Sequence, residues 1–151
     1  MPKSKRLSPL QRQVLGQIRK CRAAGGTLYF IGNGGSAAIA SHMAADWLKN
    51  AGIRAMTFTD PALITCIGND IGFDFIYSVP LHEFAKKNDI LFAISSRGNS
   101  LDILNGATTA ARYGAHVCAL TGFFGGALGI IDQARWMSYH CDKHTYGEVE
   151  V

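Results

Sequence analysis

Three groups of residues in this sequence have the types and spacing to do chemistry. Gly32-Asn33-Gly34-Gly35-Ser36 follows the apolar run Tyr29-Phe30-Ile31 and leads into an alanine-rich stretch. Ser95-Ser96-Arg97-Gly98-Asn99-Ser100 follows a second apolar run, 90–94, in the same way. His42 and Asp46 stand four residues apart. The first two groups suit an anion. Glycines let backbone amides approach a ligand closely, a helix N-terminus offers unpaired amides and the positive end of its dipole, and serine hydroxyls add donors. Ser36 and Ser100 each stand where they can cap a following helix. Neither loop is a nucleotide fingerprint: no Gly-Lys-Ser/Thr follows Gly35, and Ala37 stands at the third glycine of G-x-G-x-x-G. Arg97 either clamps a phosphate bidentately, fills the pocket, or faces solvent.

A spacing of four puts His42 and Asp46 on one helix face. Imidazole and carboxylate are both zinc ligands, and a carboxylate is also a general base; the plain alternative is a surface His–Asp pair. The four cysteines form no CxxC pair and read as small buried thiols of a reducing compartment. His140-Cys141-Asp142-Lys143-His144 has metal-binding residue types but no partner pair at zinc-finger spacing. Trp47, Trp136, Phe73, Phe75, Phe84 and Phe92 fall at spacings that suit core or interface packing. His82 beside Glu83 reads as a surface or interface histidine. Thr121-Gly122-Phe123-Phe124-Gly125-Gly126 either rims the site or serves a turn.

The elements that must position these residues alternate. Apolar runs at 27–31, 54–58, 90–94, 116–120 and 135–139 read as strands, most of them continuous as expected for strands covered on both faces. Helical stretches lie between them: 8–24 with Ser8 as N-cap and Pro9 first, 37–50 before Gly52, a short helix capped by Asp60, 73–87 interrupted at Pro80, and 101–113 ending at Gly114. This alternation predicts an α/β fold, a three-layer doubly wound parallel sheet of five strands, flavodoxin-like, in the order 2-1-3-4-5. Its switch point falls between strands 1 and 3, where both loops emerge. With 151 residues a single domain is expected, with 1–24 as a basic arm and helix and 25–151 as the α/β domain.

Charge is uneven. Residues 1–45 carry seven Lys/Arg and no Asp or Glu, and the rest carries eight basic and eleven acidic side chains. Without interleaved aromatics the arm reads as a solvated lead-in to a helix rather than a nucleic-acid contact, and it favours an anionic small ligand. No apolar run is long enough to span a bilayer, and the N-terminus lacks a signal peptide's apolar core. The expected location is cytoplasmic, with no membrane partner.

At these loops the sequence resembles the sugar isomerase (SIS) domain family. Gly32-Asn33-Gly34-Gly35-Ser36, Gly68-Asn69-Asp70, and the serine loop followed by Leu101-Asp102-Ile103 look like its phosphoheptose isomerase branch, over residues 25–151. The resemblance implies a homotetramer with sites at subunit interfaces, converting sedoheptulose 7-phosphate to D-glycero-D-manno-heptose 7-phosphate for surface polysaccharide. It places Asn33, Gly34, Gly35 and Ser36 on the substrate, Ser95, Ser96, Arg97 and Ser100 at its phosphate, and Asn69 and Asp70 on the sugar chain. It also implies zinc on His42, with Asp46 where the branch has a glutamate serving metal and catalysis, and Glu150 as a further polar ligand to metal and substrate. Aspartate reaches less far than glutamate by about 1.5 Å, one C–C bond. The branch continues into a helix bearing a histidine, which the resemblance therefore implies is lacking after Val151. A fragment, an incomplete site or a substituting residue would each account for that. Arg97 also resembles the loop of a non-enzymatic relative, the DnaA-initiator-associating protein. A SIS binding or scaffold module, or a sugar-phosphate sensor, is the alternative function.

Overall fold

The computed structural model describes residues 7–130 and the backbone of 136–141. It opens with α1 (Pro9–Ala23), whose start obeys its capping chemistry. Ser8 Oγ accepts from the Gln11 amide at 3.1 Å, and Gln11 Oε1 accepts from the Ser8 amide at 2.8 Å. Then follow β1 (Leu28–Gly32), α2 (Gly35–Ala51), β2 (Ala55–Thr57) and α3 (Pro61–Asp70), the last capped by Asp60 Oδ1 on the Leu63 amide at 3.0 Å. A 3₁₀ turn (Phe73–Phe75), α4 (Ser78–Phe84), β3 (Ile90–Ser95), α5 (Leu101–Arg112), β4 (His116–Gly122), α6 (Gly126–Ile130) and β5 (Trp136–Cys141) complete the order. All pairings are parallel and the sheet runs β2-β1-β3-β4-β5, as the alternation predicts.

Every residue of β1 and β3 is buried, because helices cover both faces. Successive side chains alternate between two cores. Tyr29, Ile31, Leu91, Ala93 and Val117 pack with Leu81 and Ile103 on one side. Leu28, Phe30, Ile90, Phe92 and Cys118 pack with Ile18 and Ala40 on the other, where Phe30 and Phe92 stack at 4.9 Å. Layers of helix, sheet and helix result.

Several local expectations change. The break in 73–87 falls at Tyr77, before α4, so Pro80 occupies the first turn of α4, where a missing N–H costs nothing. Residues 126–130 form a short helix rather than loop. Phe73, Phe75 and Phe84 are 55, 43 and 54% exposed and so are not core, whereas Phe92 is buried and Trp47 packs half-buried against the second core. Cys21 and Cys118 are buried, and burial pushes their thiols up to about 11 and about 12, but Cys66 lies at the surface. Arg135 and the side chain of Trp136 lie outside the described residues.

One residue, through its side chain and its backbone carbonyl, ties the lower ends of three strands. Asp89 is fully buried. Its Oδ1 accepts from the Thr27 amide at 2.8 Å and its Oδ2 from the Lys86 amide at 2.9 Å. Its own carbonyl accepts from the His116 amide at 2.9 Å. Removing the carboxylate leaves amide donors unpaired in a low-dielectric setting. Asp89→Ala is expected to cost about 2–4 kcal/mol, from two charge-assisted bonds of about 1.5–3 kcal/mol each less partial relaxation; urea unfolding measures it, and a loss under about 1 kcal/mol would show that the carboxylate does not pin the strands.

Candidate functional site

The site begins with register. Leu28 pairs with Ile90 and Gly32 with Ile94, so β1 and β3 end level and their loops leave side by side. The first loop must turn at once into α2. A Cβ on Gly32 would sit 2.7 Å from the Ser36 backbone, so only glycine lets the helix start this close over the strand end. The Tyr77 hydroxyl donates to the Gly32 carbonyl and fixes the turn from below; burial pushes that phenol up to about 12. In the second loop the Gly98 amide donates to both the carbonyl and the Oγ of Ser95, each at 3.1 Å.

The second loop is also clasped to the chain after β4. The Gly122 amide donates to the Ser96 carbonyl at 2.9 Å and the Leu128 amide to the Gly98 carbonyl at 2.8 Å. Asn99 Oδ1 accepts from the Ala127 amide at 2.9 Å. Contact is so close that a Cβ on Gly98 would lie 1.9 Å from the Gly125 carbonyl oxygen. The glycines of 121–126 thus serve the packing of the serine loop.

Between the two loops lies a hollow of about 180 Å³ lined by Asn33, Ser36, Ile94, Ser95, Ser96, Arg97 and Ser100. Both helices that start here, α2 and α5, lack a side-chain cap, since N-cap Gly34 has no side chain to offer and N-cap Ser100 makes no capping bond. Ser36 is not a cap as the sequence suggests. It is the second residue of α2 and is buried, because the close turn over Gly32 starts the helix early. The helix starts, serine hydroxyls and a guanidinium form a donor-rich pocket of anion size.

Six of the residues singled out by sequence therefore come together: Asn33, Ser36, Ser95, Ser96, Arg97 and Ser100. Gly34 and Gly35 flank the pocket in the loop without lining it. The other candidates lie elsewhere in the chain. Asn69 Nδ2 donates to Asp70 Oδ1 at 2.8 Å at the exposed end of α3, and the Cys66 thiol reaches Asp70 Oδ2 at 3.8 Å. His42 Nε2 and Asp46 Oδ2 are 3.3 Å apart on the outer face of α2, with side chains 76 and 45% exposed. Asn50 Nδ2 donates to Asp46 Oδ1 at 3.2 Å. Among the described residues no third His, Cys, Asp or Glu joins a metal-sized group. Glu150, His144 and Tyr146 lie outside the described residues, as do the side chains of His140 and Cys141. His82 Nδ1 and Glu83 Oε1 form an exposed pair at 2.9 Å, and the His82 ring meets Tyr113 edge-on.

Sequence reasoning missed Asp102 as a buried group. It lies in the first turn of α5, 3% exposed, and its Oδ2 has no hydrogen-bond partner among the described residues. Burial raises its carboxyl above the ordinary 3.8, against the Asn33 side chain and the amides of Ile103 and Asp102, which favour the ionised form. An acid at this helix position reads as ordinary dipole pairing, so nothing in the sequence marks it as interior.

Fold and pocket define a class: a doubly wound α/β domain whose first and third strand loops enclose an anion-sized hydroxyl pocket at the switch point. The SIS domain family matches residues 11–122, and the chain belongs to it. A phosphoheptose isomerase of Rhodospirillum rubrum is 37% identical over 127 residues, covering 80% of this chain and 68% of that one. Another, from Cytophaga hutchinsonii, is 38% identical over 109 residues, covering 69% and 57%. The solved structure of phosphoheptose isomerase GmhA from Neisseria gonorrhoeae superposes with a TM-score of 0.89 at 29% identity, covering 96% of this chain and 80% of that chain. The chain thus spans 57 to 68% of the length of those two sequence relatives.

Gly98→Ala is expected to force the clasp open, weakening inorganic phosphate binding at least about tenfold and lowering stability by about 1–3 kcal/mol; calorimetry and thermal unfolding check both, and wild-type values would show that the loop tolerates a Cβ. The raised Asp102 carboxyl binds its proton more tightly folded than unfolded. Its contribution to stability is therefore full below the unfolded value and is lost as pH rises through the folded one. The melting temperature of Asp102→Asn relative to wild type is expected to rise with pH above about 4, the ordinary carboxylate value; a difference that is flat or falls contradicts this assignment.

Proposed function

We propose that this chain is an aldose–ketose isomerase of sugar phosphates, acting on sedoheptulose 7-phosphate to give D-glycero-D-manno-heptose 7-phosphate. The observation that carries the reading is the donor-rich hollow between the in-register ends of β1 and β3. Its size and donors suit a phosphate, and the sequence relatives that share its frame are named phosphoheptose isomerases. Ser96 and Ser100 donate to the phosphate oxygens, the α2 and α5 amides add their dipoles, and Arg97 supplies charge. Binding energy gathered at the phosphate orients the reacting carbons at the far end of the sugar.

Isomerisation moves a proton between C1 and C2 through an enediol and needs a base. Asp46 is the proposed base. Within one chain it lies outside the pocket lining, on the exposed face of α2. That separation supports a homo-oligomer, a tetramer by family likeness, in which one copy's α2 face meets a neighbour's pocket. Exposed apolar residues on the 3₁₀ turn and the start of α5, Phe73, Phe75 and Leu101, are consistent with such contacts. Zinc is proposed on the same face. His42 and Asp46 are suitable donors, but they supply two of the roughly four a zinc site takes. The rest come from Glu150 or from another copy. When bound, the metal polarises the substrate oxygens.

The reading is tested by NMR of aldose formed from sedoheptulose 7-phosphate by the 151-residue chain with zinc added. Product well above a protein-free control is expected. Binding without turnover would instead favour the sensor or scaffold module. Ser96→Ala is expected to weaken sugar-phosphate binding by about 1–3 kcal/mol, the scale of a lost bond to a charged group, and unchanged affinity by calorimetry would remove Ser96 from the phosphate. Asp46→Asn should abolish turnover while keeping phosphate affinity; an active Asn variant excludes Asp46 as the base.

A further inference from the structure

The serine loop turns one polar side chain away from the hollow. Asn99 sits between Gly98 and Ser100, yet it does not line the pocket. Its Oδ1 accepts from the Ala127 amide at 2.9 Å, and the neighbouring Gly98 carbonyl accepts from the Leu128 amide at 2.8 Å. Both donors belong to the first turn of α6, whose first amides have no earlier turn of the helix to bond. The residue before α6 is Gly125, which has no side chain to cap with. The cap comes instead from another loop, 28 residues away in sequence. Backbones meet at this junction. A Cβ on Gly126 would stand 2.1 Å from the Arg97 carbonyl oxygen and 2.6 Å from Asn99 Oδ1. The helix on the other side is anchored, because Leu128 is buried in the first core. Asn99 itself is exposed, so burial does not demand its bond. What the bond does is tie the backbone between Gly98 and Ser100 to a helix fixed in the core.

We propose that Asn99 is a positioning residue for the anion pocket: by capping α6 from the serine loop, it fixes the backbone that carries Ser96, Arg97 and Ser100 into the hollow. The proposal rests on the reading of the hollow as a phosphate site. It does not need the chain to turn over a sugar. Asn99 touches no phosphate itself. It acts by removing loop shapes in which the donors beside it point elsewhere, which lowers the ordering cost of binding. The coupling is reciprocal. A phosphate that binds the clasped loop more tightly than the loose one also holds the loop more firmly on α6.

The test is calorimetric binding of inorganic phosphate and of sedoheptulose 7-phosphate to the full chain, paired with hydrogen exchange at the α6 amides. Asn99→Ala is expected to weaken both ligands about fivefold, the effect of one lost neutral hydrogen bond. The backbone bonds from Gly122 and Leu128 to the loop remain in this variant, so the fold is kept. Asp60→Ala removes a comparable cap at the start of α3, away from the pocket lining. It should lower the melting temperature while leaving both affinities within about twofold of wild type. A merely structural Asn99 would behave as Asp60 does. Saturating phosphate should also slow exchange at the Leu128 amide at least about threefold in the wild type, and less in Asn99→Ala; the wild-type arm needs no variant. Wild-type affinity for either ligand in Asn99→Ala overturns the proposal, as does an equal loss in Asp60→Ala or Leu128 exchange indifferent to phosphate. Wild-type protein that binds neither ligand overturns both this proposal and the pocket reading. The expected pattern in a chain with no isomerase activity would sink the proposed function alone.

Discussion

The site depends on a carboxylate at the opposite end of the sheet. Asp89 accepts from the amides of Thr27 and Lys86 and passes its own carbonyl to His116, so the entries to β1, β3 and β4 are locked together. Parallel pairing has no hairpin to set register, and a slip of one residue would move a strand end by about 3.3 Å and send its side chains to the other face. Five residues above the lock, Gly32 and Ile94 come out level. The pocket is the far-end consequence of that alignment. Its hydroxyls and amides converge only because two independent strands finish at the same height.

Above the strands, order is kept by close backbone contact rather than by side-chain bulk. Gly32 lets α2 start over the end of β1, and Gly98 lets the serine loop lie against the turn after β4. These contacts leave both helix starts without a capping bond from the N-cap residue. Unsatisfied donors are costly when empty and favourable when an anion arrives. The pocket is therefore preorganised for a ligand, and the helix ends do not have to move to meet it.

The fold was legible because buried parallel strands write continuous apolar runs and helices between them announce their ends. Ser8 with Gln11, Asp60 with Pro61, and Gly52 all act where local capping chemistry puts them. The two loops of the hollow were legible for the same reason, since their meeting at the switch point follows from the strand order. What failed was anything set by contact across sequence. Ser36 looks like a cap until the tight turn at Gly32 draws it into the helix. Phe73, Phe75 and Phe84 have spacing that suits core or interface, and the 3₁₀ turn and the end of α4 leave them outward, which removes the core alternative. Asp102 and Tyr77 read as ordinary helix residues, although Asp102 is buried and Tyr77 holds the first loop at Gly32.

The separation of the hollow from the proposed base, Asp46, also has a physical logic. A base beside the phosphate would raise the cost of binding a dianion, because like charges repel strongly in a partly dry cavity. Placing His42 and Asp46 on the outer face of α2 removes that repulsion from the pocket of their own chain. A sugar chain several carbons long can span from phosphate to carbonyl, so the two functions need proximity only through the substrate. An exposed His–Asp pair by itself contributes little to stability, so the pair has little structural reason to be where it is. The proposed oligomer would give it one, by covering the α2 face with a neighbouring copy. There the pair would meet the further donors that a zinc site takes.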